Sequence, residues 1–591
     1  MKKAVIRALA VLGGLYLLIA ILVFGYGFIA GVLKSRIKPN TVLEADFESG
    51  LVAYISGGAV ESLFGKKQTG VLDVVEALER AQDDERVWGL VARVGESNLG
   101  LAQIQELREA VLRFRSRGKK AIAWAETFGE FSSGNGSYYL ATAFDEIYLQ
   151  PSGDLGLTGL MYETPFISGA LNKLKITPRF DHRHEYKNFK NFFTNKKFTP
   201  EHKEALEAVM KSQFSQIVSG ISEKLGKDTK VVKQIINNGP YRSDAALELG
   251  LVNGLAYRDE VYDMVRTATS ADTHFLYLQT YLKRVGSPWS DGETIALIYG
   301  VGSVSRGKSG FNPLFGSRTM GSDTITAAFR SAREDDDVKA IIFRVDTPGG
   351  SAVASDSIWR ETERAKKMGK PVIVSMGNVA GSGGYWVSMN ADKIVAHPGT
   401  ITGSIGVLGG KMLMREFWER LGVTWDEVHS STNSTMWSSN TDFSKLEWAK
   451  FQSWLDGIYD EFTTKVAEGR GLSKEKVLEI AKGRIWSGED AKLNGLVDEL
   501  GGLSKAIELA KRSSGIPADQ SIRLKLFPKR RTLTESLVQR FLGGEEESSE
   551  PETQLGIIKA LAPLRDAALK LGLTREQGVL VVPDYATGCC F

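Results

Sequence analysis

The feature that most constrains the fold of this 591-residue chain is an internal repeat. Three segments of the first half resemble three segments of the second half, in the same order. The pairs are Val87–Val94 with Val338–Val345 (251 residues apart), Tyr138–Asp145 with Tyr385–Asp392 (247 apart) and Gly250–Val252 with Gly495–Val497 (245 apart). A separation that drifts by so few residues indicates a tandem duplication with small loop deletions. We therefore expect two similar units.

Each copy alternates strands with helices. In the second copy the pattern predicts strands at Thr294–Tyr299, Val338–Val345 and Pro371–Met376, and a helix over Val353–Lys367 before the last of them. A long amphipathic helix is predicted at Phe443–Glu468. Uninterrupted apolar strands separated by helices are typical of a parallel sheet that is covered on both faces. The fold class is therefore predicted to be α/β.

The N-terminus carries a long apolar stretch. Ala8–Leu33 is a run of 26 residues without a charge, longer than the roughly 20 residues that a helix needs to cross a bilayer. A cleavable signal peptide has a shorter apolar core and a small-x-small site. Residues 1–38 are therefore predicted to be an uncleaved transmembrane anchor. Basic residues flank the stretch almost equally, so the charges do not set its orientation.

The repeat also suggests the domain boundaries. The first copy is predicted at 39–270 and the second at 292–520, with a connector at 271–291. After residue 520 the pattern decays, and 521–591 is predicted to be a partly flexible tail.

Composition argues against several classes of function. The chain has 74 basic and 71 acidic residues, a net charge of +3, which does not support nucleic-acid binding. Its two cysteines, Cys589 and Cys590, lie beside the C-terminus, so the body has no disulfide framework and no thiolate metal site. The histidines show no metal-ligand spacing. We expect no cofactor and no metal.

Two glycine-rich turns of the second copy each follow a predicted strand and open a helix. Asp346–Ser351 contains a Gly-Gly pair, which lets backbone N–H groups face a ligand as an oxyanion hole requires. Val379–Trp386 places Ser382 at a helix N-terminus with the N–H of Gly383 beside it, an elbow that exposes a hydroxyl. Either turn alone is equally compatible with a tight backbone corner. Two of them in this order favour a functional site.

These turns and a third segment resemble the signature of the signal peptide peptidase A (protease IV) family, in its long form with two repeats. The three segments are Asp-Thr-Pro-Gly-Gly-Ser at 346–351, Ser-Met-Gly-Asn-Val-Ala-Gly-Ser-Gly-Gly-Tyr-Trp at 375–386 and Thr-Gly-Ser-Ile-Gly-Val at 402–407. The similarity extends from the anchor to about residue 520. It implies a ClpP/crotonase-like spiral fold for each copy.

The resemblance also implies roles for individual residues. It makes Ser382 the nucleophile and Lys187, in the first copy, the general base. It makes Gly350 and Gly383 the oxyanion donors, and Ser404 the residue that orients the lysine amine.

The duplication supports this division of the site independently. Ser382 aligns with Asn135 of the first copy, which has no hydroxyl, and Lys187 aligns with Ser434 of the second, which has no amine. Each copy lacks the group that the other keeps. A functional pair must therefore be joined across the interface between the repeats.

A lysine base needs an unusual environment. Its pKa must fall from about 10.4 to roughly 7–8, which costs about 4 kcal/mol and is normally achieved by burial. Phe189, Phe192 and Phe193 are predicted to supply the apolar surroundings of Lys187. Lys190 is the nearest rival for the role.

Several interpretations remain open beside the leading one. A histidine base would have to be His182, His184 or His397. A ClpP/crotonase-like fold also serves acyl-CoA chemistry, and a third interpretation is a non-catalytic membrane scaffold.

The leading interpretation is a membrane-bound serine endopeptidase that degrades cleaved signal peptides and other hydrophobic peptides. The anchor would bind the lipid bilayer, as a single pass through the inner membrane with the catalytic body on the extracytoplasmic (periplasmic) side. The resemblance further implies a homotetramer.

Overall fold

A computed structural model describes residues 36–48, 51–52, 69–96, 99–270, 272–312 and 317–528. The predicted anchor, Ala8–Leu33, and nearly all of the predicted tail, with Cys589 and Cys590, lie outside these ranges. Of the helices that the structure does describe, none combines the length and the apolar character that a membrane span needs.

The first half is a parallel sheet flanked by helices. Its strands are β1 (Thr41–Asp46), β2 (Leu51–Val52), β3 (Thr69–Gly70), β4 (Val87–Arg93), β5 (Lys120–Ala125), β6 (Glu146–Leu149), β7 (Asp154–Leu155), β8 (Thr177–His182), β9 (Tyr241–Arg242), β10 (Gly254–Leu255) and β11 (His274–Tyr277). Its helices are α1 (Val71–Ala81), α2 (Leu101–Ser116), α3 (Asn135–Ala141), α4 (Ser168–Lys173), α5 (Asn191–Thr194), α6 (Pro200–Leu225), α7 (Thr229–Asn238), α8 (Ser243–Glu248), α9 (Arg258–Thr269) and α10 (Leu278–Val285), with a 3₁₀ turn at Asn188–Lys190. The main sheet has the order β10-β6-β5-β4-β1-β11, and all its strands are parallel.

The second half repeats this plan. Its strands are β12 (Glu293–Val301), β13 (Ser303–Ser305), β14 (Gly310–Asn312), β15 (Ser317–Gly321), β16 (Val338–Thr347), β17 (Val372–Gly381), β18 (Lys393–Ala396), β19 (Ile401–Gly403), β20 (Leu408–Leu413), β21 (Ile485–Ser487), β22 (Glu499–Leu500) and β23 (Ile522–Phe527). Its helices are α11 (Ser322–Glu334), α12 (Ala352–Lys367), α13 (Gly383–Trp386), α14 (Arg415–Arg420), α15 (Lys445–Arg470), α16 (Lys474–Ile480), α17 (Gly488–Leu493) and α18 (Leu503–Ser513). The parallel strands follow the order β22-β18-β17-β16-β12-β23, and β19 pairs with β17 and antiparallel with β21.

The two strand orders correspond one to one, which confirms the predicted duplication and the α/β class. Side-chain contacts repeat as well. The hydroxyl of Tyr138 donates to the carbonyl of Leu251 at 2.6 Å, and that of Tyr385 donates to the carbonyl of Leu496 at 2.9 Å. A tyrosine at the equivalent position of each unit therefore makes the equivalent hydrogen bond.

The longest helix of each half shows why the sequence folds alike in both copies. α6 and α15 each have 26 residues. Thr199 and Ser444 cap their first turns with a side-chain oxygen, and Gly226 and Gly471 end them at φ 61° and 63°. Hydroxyl caps and left-handed glycines are the ordinary start and stop signals of a helix.

The central strands and helices of the second copy confirm the sequence predictions, but two edge strands were missed. The sequence pattern assigned β11 to the connector and β23 to the tail. Each is instead the outermost strand of its sheet, parallel to β1 and β12 respectively. β23 alternates buried with exposed residues, so it lacks the continuous apolar run that reveals a central strand.

The halves pack against each other through strands and buried polar contacts. β8 of the first half pairs antiparallel with β20 of the second. Arg344 of the second half and Glu106 of the first form a buried ion pair at 2.5 Å. The N–H of Gly399 donates to the side chain of Gln105 at 2.8 Å. The two units therefore share one interface, and β8 and β20 form a two-stranded sheet that joins the halves.

Candidate active site

Ser382 lies in the turn between β17 and α13. Its backbone has φ 53° and ψ −116°, a left-handed conformation that residues other than glycine seldom adopt. The Ser382 N–H donates to the carbonyl of Gly403 at 2.8 Å, and its carbonyl accepts from Tyr385 and Trp386 of α13. Hydrogen bonds to its N–H and its carbonyl hold Ser382 in this strained turn, which presents the hydroxyl at the end of β17.

Lys187 reaches this corner from the other half of the molecule. It follows β8, whose pairing with β20 brings the segment against the second half. Its Nζ lies 3.0 Å from the Ser382 Oγ, 2.9 Å from the Ser404 Oγ and 2.8 Å from the Ser404 carbonyl oxygen. The structure thus brings together Lys187, Ser382 and Ser404, three residues that the sequence singled out.

The lysine is buried, with 6% of its surface exposed. Burial removes water from the ammonium group and lowers the pKa of Lys187 to about 7. Two glycines pack against its side chain. A Cβ added at Gly406 would lie 3.3 Å from the Lys187 Cδ, and one added at Gly483 would lie 2.6 Å from its Cβ. Sequence analysis missed both glycines, although Gly406 belongs to the third signature segment.

The phenylalanines predicted to surround the lysine form a cluster of their own. Phe193 stacks on Phe180 at 5.4 Å between ring centroids and makes edge contacts with Phe189 and Phe192 at 5.6 and 4.8 Å. This cluster follows the lysine along the chain. Besides its hydrogen bonds to Ser382 and Ser404, the Lys187 side chain lies against Gly406 and Gly483.

Ser404 is held in position by the backbone around it. It follows β19 and has φ 51°, another left-handed conformation. Its N–H donates to the carbonyl of Arg484 at 2.7 Å. The fixed backbone points both the Ser404 carbonyl and its hydroxyl at the lysine amine.

Gly350 and Gly383 lie beside each other next to the serine. Val304 forms an isolated β-bridge with Gly350. The Val304 N–H donates to the carbonyl of Gly349 at 2.9 Å, and the Val304 carbonyl accepts from the N–H of Ser351 at 3.0 Å. These two hydrogen bonds leave the intervening N–H of Gly350 out of the bridge. A Cβ added at Gly383 would lie 3.1 Å from the Gly350 nitrogen. The absence of a side chain at Gly383 therefore leaves space beside the Gly350 nitrogen.

The other titratable candidates have different surroundings. The His184 ring packs on Tyr459 at 4.5 Å, and His182 lies within β8, paired with Leu408. His397 is buried near Glu106, and burial lowers its pKa to about 4. Lys190 is half-buried, and burial lowers its pKa. The titratable side chain at the Ser382 hydroxyl is a lysine.

The residues that align with Ser382 and Lys187 in the opposite copy are Asn135 and Ser434, and both make contacts of a structural kind. Asn135 begins α3 and is buried; its amide group bonds the Gly159 carbonyl at 2.7 Å and accepts from the Gly159 N–H at 3.0 Å. Ser434 is exposed and lies 2.9 Å from the hydroxyl of Ser431. Within the described ranges, no group of three or more His, Cys, Asp or Glu side chains is placed to hold a metal ion.

Comparison with known proteins identifies the family. The model of peptidase family S49 matches residues 113–272 and 364–516, one segment in each half. The chain is 32% identical to the chloroplastic serine protease SPPA of Arabidopsis thaliana over 76% of its length and 66% of that protein's. It is 32% identical to protease 4 of Haemophilus influenzae, over 76% and 73% of the two chains, and 30% identical to protease 4 of Salmonella typhi, over 82% and 78%. The chain belongs to peptidase family S49 and is a serine protease.

Proposed function

We propose that the protein is an endopeptidase that cleaves peptides with a Ser–Lys dyad, in which Ser382 is the nucleophile and Lys187 the general base. The observation that carries the proposal is the 3.0 Å separation of the Lys187 Nζ from the Ser382 Oγ. A lysine pKa of about 7 supports it, because near neutral pH a large fraction of the amine is unprotonated and able to accept a proton.

Acylation begins with attack of the Ser382 Oγ on the carbonyl carbon of the scissile peptide bond. As the new C–O bond forms, the hydroxyl proton passes to the Lys187 Nζ, and the carbonyl electron pair moves onto the substrate oxygen. Gly350 and Gly383 donate their N–H groups to this oxyanion. Ser404 accepts hydrogen bonds from the resulting ammonium, which keeps the proton aimed at the reacting atoms.

Collapse of the tetrahedral intermediate breaks the C–N bond. The Lys187 ammonium gives its proton to the departing amine and becomes neutral again. A water molecule then attacks the Ser382 ester, with Lys187 as the base that takes the water proton, and the second tetrahedral intermediate releases the free acid and the serine hydroxyl. Over the two steps one water is consumed and the lysine returns to its starting state.

The proposed substrates are hydrophobic peptides, notably cleaved signal peptides. The support is the family resemblance and the apolar stretch Ala8–Leu33, which as a single-pass anchor in the inner membrane would keep the site on the periplasmic side, near the bilayer where such peptides appear. The ClpP/crotonase-like form of each unit and the homotetramer belong to the same proposal, on the same resemblance. The domain boundaries are proposed from the repeat, with β11 and β23 added to the units whose sheets they extend.

The test is peptide hydrolysis by the purified full-length chain with Ser382 replaced by alanine. Ser357→Ala is the matched control, because that hydroxyl is exposed on α12 and bonds only within the helix, to the Val353 carbonyl at 3.0 Å. We expect Ser382→Ala to lose at least about a thousandfold in kcat/KM, as removal of a catalytic nucleophile does, and the control to keep full activity. Unchanged hydrolysis by Ser382→Ala would support a non-catalytic scaffold or chemistry elsewhere in the chain.

A further inference from the structure

The dyad is divided between two halves, so its geometry depends on what fastens them together beside it. The segment Lys482–Arg484 of the second half lies between the Lys187 segment and Ser404. The Lys482 carbonyl accepts from the N–H of Tyr186, the residue before Lys187, at 3.1 Å. The Arg484 carbonyl accepts from the N–H of Ser404 at 2.7 Å. One short segment therefore contacts both the base and the residue that orients it.

The side chain of Arg484 returns to the first half. Its guanidinium makes two parallel contacts with the Glu204 carboxylate on α6, at 2.5 and 2.7 Å. It also lies over the ring of Tyr186, 4.9 Å from the centroid, and over that of Trp486, 4.5 Å from the centroid. Arg484 thus contacts both α6 and Tyr186, the residue that precedes Lys187.

This arrangement differs from an ordinary surface ion pair. Exposed pairs contribute little, because two mobile side chains must be ordered in water. Here the Arg484 side chain is 15% exposed, contacts the Glu204 carboxylate at two points and lies over two aromatic rings, each of which restricts it further. We therefore expect loss of Arg484 to change the position of the Lys187 segment more than the overall stability of the protein.

We propose that Arg484 is a positioning residue that, through Glu204 and Tyr186, clamps the Lys187 segment of the first half against Ser404 of the second. This inference rests on the proposed Ser–Lys function. Without the clamp, the first-half segment can move away from the second-half serines, and the lysine amine loses both its hydrogen-bond geometry and its exclusion from water.

The test compares Arg484→Gln, Glu204→Gln and the double variant in steady-state peptide hydrolysis across pH. We expect each single variant to lower kcat by at least about tenfold with KM changed less than about twofold, since positioning affects the reacting geometry and not substrate binding. The double variant should be no worse than Arg484→Gln, because the two residues act as one unit. Arg484→Lys keeps the charge but not the fork, and should recover only part of the activity.

The pH profile separates a clamp from a simple charge effect. Removing the Arg484 cation would raise the pKa of Lys187 by electrostatics, whereas removing the Glu204 anion would lower it. A loosened lysine gains water in both variants, so the clamp predicts that the acid limb of kcat/KM moves to higher pH in both. Opposite shifts in the two variants would overturn the proposal. The neighbouring Glu185–Lys482 pair, at 3.7 Å, is the same in all variants.

Arg179→Gln is the matched control. Arg179 also joins the halves, pairing with Asp442 at 2.8 Å and lying 4.9 Å from the Trp448 ring, but toward the start of β8. We expect its kcat to stay within about twofold of the parent. If Ser382→Ala is inactive while Arg484→Gln and Glu204→Gln match the parent, the clamp alone is wrong; an active Ser382→Ala would refute the proposed function itself. If Arg484→Gln unfolds, Glu204→Gln carries the test, because its carboxylate is 51% exposed.

Discussion

The burial of Lys187 predicts a specific dependence of activity on pH. Its pKa falls from 10.5 to about 7 because the ammonium is desolvated. Only the neutral amine accepts the serine proton. Below pH 7 the neutral fraction falls about tenfold for each pH unit, to about one tenth at pH 6 and one hundredth at pH 5. Activity should fall in the same proportion.

The assay is kcat/KM for a hydrophobic peptide between pH 5 and 9, because this ratio reports the pKa values of the free enzyme. The expected profile rises with a slope of one and levels off near pH 7. Lys187→Met keeps a side chain of similar length without the amine, and should be inactive over the whole range. An acid limb that ends below about pH 5, or substantial activity in Lys187→Met, would refute the assignment of the base.

The same burial affects stability, with a sign that is fixed by linkage. The folded-state pKa lies below the unfolded value, so between pH 7 and 10.5 the unfolded chain binds the extra proton and the Lys187 contribution to the free energy of unfolding rises with pH. Below pH 7 both states are protonated and the full penalty, about 5 kcal/mol as an upper bound, applies. Above 10.5 it vanishes.

The stability measurement compares denaturant unfolding of the parent and Lys187→Met at a series of pH values. Lys187→Met should be the more stable protein near neutral pH, and its advantage should shrink as the pH approaches 10. A difference that stays constant with pH would mean that the amine is hydrated in the folded state, contrary to the buried position that the structure gives it.

Two further substitutions test contacts between the halves. Gly483→Ala should lower kcat by at least about tenfold, because the new Cβ would lie 2.6 Å from the Lys187 Cβ and must displace it. The control is Gly422→Ala, which has a similar φ of 77° but lies in open space; it should cost only about 1 kcal/mol of stability and leave kcat unchanged. Equal activity in the two variants would contradict the expected displacement of Lys187. Glu106→Gln leaves the Arg344 guanidinium buried without its carboxylate partner and should lower the free energy of unfolding by about 3–5 kcal/mol in urea titrations, whereas a loss below about 1 kcal/mol would mean that water reaches the pair.

The sheet centres were predictable because burial on both faces leaves a direct trace in the sequence. β16 and β17 are built mainly of apolar residues, and the structure buries nearly every residue in them. β11 and β23 lie at sheet edges, where one face or one side remains accessible and the apolar run breaks. Their positions depend on pairing with strands more than 200 residues away, which local periodicity does not encode.

The site was predictable to a different degree for each of its parts. Ser382 and the glycine turns lie within short segments whose local conformation forms the proposed site, so a sequence motif can identify them. Lys187 required the family resemblance, because a single lysine followed by phenylalanines resembles many surface segments. Its neighbour Gly483 lies almost 300 residues away in the chain. Contacts made only when two units pack leave no periodic signal in either.

The division of the dyad has a physical consequence for the enzyme. In the second half alone, Ser382 would keep its strained turn, since β17 and α13 fix it from within that half. In the first half alone, the Lys187 segment would lose β20 and the Gly483 backbone, and its amine would regain water and an ordinary pKa. The proposed nucleophile is therefore positioned by local structure, whereas the proposed base acquires its environment only when the halves dock. It follows that substitutions at the interface beside Lys187 should change the pH dependence of the reaction more readily than they change the conformation of Ser382.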